Sequence, residues 1–314
     1  MQSVIKLYKD RKFNGFIFRM IKNMNDKKAI KWNGYDIMQN EIFMESYCKN
    51  KNFELFKIDT TIAYLHKLPV FGYTFMKIHS PDLEDILSII QKTKKISAQK
   101  NVAFLEIVTP YKDDAIERYM IKSDGTYIIN YNNIKNYEAI WKNFHRNVRQ
   151  KINQANQNGV FIEKAKNEND FNEWWKLYEV AARTKEFQAQ KYGLVHDLFN
   201  NSDISRLILA KCEDKILSGM FLLLNKGILS WLSAMDSNAG RYRPNNLLEW
   251  EIIKWGKDQG YAYYDMGGAI INKNHGPTEF KKSFGGEYRE LYTYRIPIVY
   301  IKNIITELAL KFYK

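Results

Sequence analysis

SRLILAKCEDKILSGMFLLLNKGILSWLSAM, Ser205 to Met235, holds three apolar runs parted by two short breaks, Glu213-Asp214 and Asn225-Lys226-Gly227. Each run has strand length, and breaks this short join antiparallel neighbours, so the stretch reads as a three-strand meander. After a polar loop, Pro244 opens a helix to Gln259 with Leu248, Ile252 and Trp255 turned inward, and YAYYDMG supplies a further strand. Three consecutive strands before a helix imply a mixed, largely antiparallel sheet. A doubly wound parallel sheet is disfavoured, and the GxGxxG dinucleotide fingerprint is absent.

The same order occurs earlier in the chain. FELFKI, TIAYLHKL and GYTFMKI read as strands, and SPDLEDILSIIQKTKKISAQK reads as a helix started by Ser80 and Pro81, with Leu83, Ile86, Ile89 and Ile90 as its stripe. VAFLEIV and TYIINY follow as strands. Between the two passes, Tyr137, Trp141, Phe144, Val148, Ile152 and Ala155 predict one long helix over 134–157, with His145, Arg146, Arg149 and Lys151 on its remaining surface. GVFIEKA then reads as a strand and EWWKLYEVAARTKEF as a helix. Two passes of similar order, without residue-level repetition, suggest a tandem of one α/β unit with mixed sheets.

The chain has 314 residues, 45% of them hydrophobic and 15% aromatic, which suits two packed units rather than disorder. A formal charge of +13 favours polyanionic partners such as RNA, nucleotide-linked substrates or an anionic membrane surface, without choosing among them. Cys48 and Cys212 are far apart and lack CxxC spacing, so neither a disulfide framework nor a thiolate metal site is indicated. The longest apolar runs, such as Ile216 to Leu224, fall short of the roughly 20 residues of a membrane-spanning helix. A soluble, cytoplasmic protein is expected. In KFNGFIFRMIKNM, Phe13, Ile17, Met20 and Met24 share one helical face amid basic residues, which suits either a core-covering helix or peripheral contact with the inner face of the membrane.

HGPTEFKKSFGGEY, His275 to Tyr288, sets Lys281 and Lys282 between a Gly-Pro turn and a Gly-Gly pair, directly after the strand that ends in Asp265, Gly267 and Gly268. No Ser-His-Asp or Cys-His arrangement stands out, so covalent catalysis has no support. The meander-loop-helix-strand order of 204–267 is that of the N-acetyltransferase (GNAT) superfamily, where the loop before the helix normally offers glycine amides to a coenzyme A diphosphate. Here that loop reads NAGRYRPNNLLEW. Arg241, Tyr242, Arg243, Pro244 and Asn245 stand where glycines are usual, which weakens the coenzyme A reading, while Gly240 keeps it open.

Together, WKNFHRNVRQKINQANQNGV, RYRPNNLLEWEIIKWGKDQGYAYYDMGG and HGPTEFKKSFGG resemble the Fem family of peptidoglycan-bridge aminoacyltransferases, and the resemblance runs from about residue 53 onward. It implies two GNAT-like domains, 1–132 plus a returning helix over 297–314, and 133–296, without the coiled-coil insertion of longer members. The 297–314 assignment also rests on an apolar stripe of Ile298, Ile301, Ile305, Leu308 and Phe312. The implied reaction joins an amino acid carried on tRNA to an amine of a cell-wall precursor, nucleotide- or lipid-linked, with no metal, no cofactor and a monomeric enzyme.

The resemblance places Phe280 and Lys281 at the reaction centre, where a lysine ammonium suits the negative charge that builds on an attacked ester carbonyl. Lys282, one residue on, is expected to point elsewhere as neighbours on extended chain do. Asp265 orients the amine or Lys281, or else caps the next loop. Tyr242, Asn245 and Tyr264 are expected to line the same cleft. Arg146, Arg149 and Lys151 are the candidate tRNA contacts, the alternative being a solvated face. Two departures concern the acceptor: Gln190, Lys191 and Tyr192 stand where relatives carry an arginine, and Thr109 precedes Pro110 where an acid is usual, with Glu106 nearby. Two other classes stay open, an N-acyltransferase using acetyl- or acyl-coenzyme A on a polysaccharide, lipid or peptide amine, and a catalytically silent RNA- or membrane-binding module.

Overall fold

The computed structural model describes residues 36–68, 72–81, 86–270 and 276–299. Helix α1 (Glu41–Lys51) starts at Asn40, whose side chain accepts the Phe43 amide at 3.0 Å. The first pass then runs β1 (Glu54–Ile58), β2 (Thr61–Lys67), β3 (Thr74–His79), α2 (Ile86–Lys100), β4 (Val102–Thr109) and β5 (Met120–Asn130). The second comprises α3 (Tyr137–Asn143), α4 (Arg146–Gln157), β6 (Phe161–Lys164), α5 (Glu168–Thr184), α6 (Tyr192–Phe199), β7 (Ser205–Cys212), β8 (Lys215–Leu224), β9 (Ile228–Met235), α7 (Pro244–Asp258), β10 (Tyr263–Ala269), α8 (Gly276–Lys282) and β11 (Glu287–Pro297).

All eleven strands join one sheet in the order β1-β2-β3-β4-β11-β5-β10-β9-β8-β7-β6. Within each pass the meander is antiparallel, and the helix that follows it returns the chain to a strand parallel to the last one, β4 beside β3 and β10 beside β9. The final strands are exchanged. β11, from the second pass, lies between β4 and β5; β5, from the first, lies between β10 and β11; all three of these pairings are antiparallel. Read outward from the β11-β5 pair, β4-β3-β2-β1 match β10-β9-β8-β7, with β6 as an extra edge strand, giving an approximate twofold relation between the passes.

β8 is buried on both faces because helices cover both. Met220, Leu222 and Leu224 pack into a core with Val148 and Ile152 of α4 and Leu248 and Ile252 of α7. The intervening Phe221 and Leu223 pack with Trp174 and Tyr178 of α5, Leu194 and Leu198 of α6 and Phe43 of α1. That second core also takes in Ile62 and Tyr64 of β2, so α1 bridges the two passes. A third core lies under α2, where Ile86 and Ile89 meet Met76, Ile78, Leu105 and Ile107.

The predicted helix over 134–157 is two helices. Phe144 and His145 are extended (ψ 142° and 146°), and Phe144 turns into an aromatic group with Trp141, Trp250 and Phe284 while the His145 amide donates to Ser283 O at 2.9 Å. The Arg149 guanidinium folds back onto the end of α3 and donates to the carbonyls of Trp141, Lys142 and Phe144. Burial of Phe144 and this cap outweigh the continuous apolar period. Helices α1 and α6 are not foreseen in the sequence reading. The stripes over 13–24 and 301–312, Leu83 and His275 lie outside the described residues. No described helix is long and apolar enough to cross a membrane.

Candidate active site

β9 and β10 run side by side only at Ile228-Tyr264 and Leu229-Asp265; beyond that point they part. Three features place side chains at the parting. Asp265 is buried, and its Oδ1 accepts the Gly267 amide at 2.8 Å and faces the Thr126 hydroxyl of β5, so it closes a bulge between Asp265 and Gly268. Gly267 adopts φ +77°, and a Cβ there would lie 2.6 Å from Ser230 O of β9, so glycine is required both by conformation and by the close approach. The bulge turns the carbonyls of Gly267 and Gly268 toward α8, where Lys281 Nζ donates to them at 2.9 and 2.6 Å.

Lys281 is therefore held by backbone rather than by a counter-ion. Burial lowers its pKa, while the carboxylates of Glu249 and Asp265 oppose that shift. An ammonium has three donors, and among the described residues two of them meet these carbonyls. Lys281 and Lys282 sit on a short helix rather than on extended chain, and Lys282 is exposed because helical neighbours diverge by about 100°. Phe280 is half-buried, its ring edge-on to Phe284 with centroids 5.1 Å apart, and it joins the core under α7.

Tyr264, alternate to Asp265, points to the other face of the sheet. It is fully buried, and its hydroxyl donates to Glu249 Oε2 at 2.6 Å. Glu249 is 2% exposed on α7, and burial pushes its carboxyl up to about 7 against the opposing effects of the Tyr264 bond and the Lys281 charge. Glu249 was not singled out from the sequence. The available signal was a lone acid beside Leu248 and three residues before Ile252, on the side of α7 that the apolar stripe assigns to the core.

Comparisons with known proteins can be set against this geometry. Residues 142–282 match the family model described as acetyltransferase (GNAT) domain. A crystal structure of FemX superposes with a TM-score of 0.72 at 15% identity, covering 88% of this chain and 95% of that one. The fold is the Fem-type tandem of GNAT-like units. The C-terminal domain of a protein designated lysylphosphatidylglycerol synthetase from Agrobacterium fabrum (TM-score 0.58, 11% identity, 88% and 97% covered) shares the Fem-type architecture. So does a conserved protein of unknown function from Bacteroides thetaiotaomicron (0.59, 10%, 85% and 92%). A comparison with curated protein sequences finds no match.

The loop 236–243, between β9 and α7, holds the place where the sequence order led to the expectation of a GNAT diphosphate loop. Here it is a turn of 3-10 helix, Ser237–Tyr242, and three amides around it are already engaged: Asn238 N donates to Asp236 Oδ1 and Ala239 N to Asp236 O, both at 2.9 Å, and Arg243 N to Gly240 O at 3.3 Å. Asp236 thus sets a carboxylate where a diphosphate would need donors. Tyr242 is half-buried with the Arg241 guanidinium over its ring, and Asn245 is half-buried in the first turn of α7.

The acceptor candidates are not gathered around Lys281. Lys191 donates to Asn50 O at 2.7 Å and Tyr192 to Asn172 Oδ1 at 3.0 Å, at the start of α6, on the sheet face opposite α7. Thr109 is fully buried, its hydroxyl oxygen accepting the Tyr111 amide at 3.3 Å. Glu106 lies between Lys77 at 3.5 Å and Arg295 at 3.0 Å. Arg146 is exposed and Lys151 half-buried on α4, whereas Arg149 serves as the α3 cap.

Proposed function

We propose that the chain is an aminoacyltransferase that moves an amino acid from its tRNA ester to an amine of a cell-envelope precursor. The observation that carries this reading is Lys281, an ammonium held by two backbone carbonyls at the parting of β9 and β10, in a fold shared with FemX. Attack of the amine on the ester turns the carbonyl oxygen into an oxyanion. A cation fixed in this way stabilises that charge by about 3–4 kcal/mol, because the cost of orienting it is already met in the fold. Phe280 packs under this segment and fixes the helix that presents Lys281, while Asp265 fixes the bulge that orients its carbonyl acceptors.

Three engaged amides and the Asp236 carboxylate in the 236–243 turn argue against a coenzyme A diphosphate as the donor's handle. Exposed Arg146 and half-buried Lys151 on α4, in a chain of formal charge +13, suit contacts to an RNA backbone. The chemistry needs neither a metal nor a redox group, since one C–N bond forms and one C–O bond breaks at an already activated ester.

The test is to incubate the protein with pools of charged tRNA or with labelled acetyl-coenzyme A, each with nucleotide-linked and lipid-linked cell-wall precursors. Transfer of amino acid from tRNA, unaffected by chelator, is expected. Transfer from the coenzyme A thioester instead would overturn the donor assignment.

A further inference from the structure

Lys281 accounts for the developing negative charge and leaves a proton to be placed. An amine that attacks at neutral pH begins as an ammonium, and two protons leave its nitrogen before the amide is formed. The core beside Lys281 contains an acid that no ion pair uses. Glu249 is 2% exposed, and its Oε2 accepts a hydrogen bond from the Tyr264 hydroxyl at 2.6 Å. The groups that face it are Tyr264 from β10, Lys281 from α8 and Tyr131 from the turn after β5. β8 contributes Met220, whose sulphur lies 3.3 Å from the Tyr264 oxygen, and α4 contributes only apolar Val148, Ile152 and Ala155 to this core.

The Tyr264 oxygen has a second neighbour. The Ser230 side chain lies beside it and favours its ionised form. Ser230 is half-buried, and it is the first residue of β9 beyond the last pairing with β10. Its carbonyl and Lys281 Nζ both adjoin the position of a Cβ built on Gly267, at 2.6 and 3.7 Å. The Tyr264 and Ser230 side chains therefore stand between a buried carboxylate and the half-buried end of the β9–β10 pairing, next to the bulge that holds Lys281. A carboxyl buried only for packing would gain nothing from this placement, and its desolvation would be avoided by a glutamine that keeps the Tyr264 bond.

We propose that Glu249, acting through Tyr264 and Ser230, takes up the proton that the attacking amine must lose. The inference rests on the aminoacyl-transfer reading and adds its proton path. The amine nitrogen bonds to the ester carbonyl carbon, and the carbon–oxygen bond to the ribose breaks. One of the two protons ends on the departing ribose oxygen. The other passes along the Ser230 and Tyr264 hydroxyls onto the Glu249 carboxylate, and is released to water before the next turnover. Glu249 and Tyr264 are positioning residues, since both are buried whereas Ser230 is half-buried.

Two measurements test this. In an infrared difference titration of the full chain without substrates, one buried carboxyl should lose its proton near pH 7, and that signal should be absent from Glu249→Gln. In kinetics with aminoacyl-tRNA as donor, kcat should rise through the same pH in the parent chain. In Glu249→Gln the rise should disappear and kcat should fall about 10²–10³-fold with KM nearly unchanged. A weakly basic acceptor amine, unprotonated at neutral pH, should restore most of that loss, and Tyr264→Phe should behave like Glu249→Gln. If the variants lose activity equally at every pH, melt lower and are not rescued by the weakly basic amine, the role is structural and the relay is wrong. If the parent chain uses an acyl-coenzyme A instead, the donor assignment fails separately, and the same pH profile and rescue with that donor decide the relay. A missing infrared titration overturns it whatever the donor.

Discussion

At the scale of single residues, the site is a set of backbone constraints that hold one cation. Replacing Lys281 with methionine keeps the length and removes the charge, so kcat should fall about 10²–10³-fold with both substrates still bound. Lys282→Met, exposed on the same helix, should stay within about threefold of the parent in the same assay. Glu249 carries a prediction about stability. Its carboxyl is raised from 4.5 to about 7, so between those values the folded chain binds more protons than the unfolded chain. Stability therefore falls as pH rises through this window, and the full penalty is present above about 7. Glu249→Gln escapes that penalty. Its unfolding free energy from urea titrations should gain on the parent's from pH 5 to pH 8, by a limit on the order of 3 kcal/mol. An unchanged difference across that range would place Glu249 in a wetter site than this core. Lys281 was singled out through the family resemblance and Asp265 with the paired glycines as a strand end, and the structure brings them together because they lie within seventeen residues of one another. Glu249 could not be singled out, since its meaning depends on Tyr264, fifteen residues away, and on a core that only tertiary packing creates.

At the scale of elements, periodicity was enough for most of the architecture. The meander of β7 to β9, the helix after it and the return strand are all visible as runs of the right length and spacing. The exceptions are places where a distant group overrides the period. The apolar repeat continues through Phe144, yet the chain breaks there because Phe144 meets Trp250 and Phe284, and because Arg149 satisfies carbonyls that a continuous helix would have bonded internally. Arg149→Ala should therefore lower stability by about 1–2 kcal/mol in urea unfolding. Its effect on tRNA mobility shifts should be smaller than that of Arg146→Ala, whose side chain is exposed. Equal effects on RNA binding would show that the guanidinium leaves its cap. Short helices α1 and α6 escaped the reading because each is stabilised by the core between the two passes rather than by a long stripe of its own.

At the scale of the whole molecule, the repeat was legible as order but the exchange of its last strands was not, since nothing in β5 or β11 marks which edge each will join. The exchange makes separate stability of the two passes implausible on physical grounds. Without β11, β4 and β5 lose the strand between them, and without β5, β10 and β11 lose theirs. Urea unfolding followed by tryptophan fluorescence and by circular dichroism should give coincident single transitions. A fragment 133–296 expressed alone should be poorly ordered, with rapid amide exchange in β10. Two resolved transitions, or a well-folded fragment, would show that the exchanged strands are not essential to either pass.

The same exchange sets a timetable for synthesis. β4 and β5 emerge well over a hundred residues before β11, the strand that must separate them, so during translation they expose unpaired edges. Direct pairing of β4 with β5 would close the first pass early and leave β11 no place to enter. Such sequence-distant pairing also slows closure, because a long loop must be ordered before any contact compensates for it. Refolding of the full chain should then be limited by insertion of β11, and a nascent chain stalled before residue 287 should remain a client for chaperones.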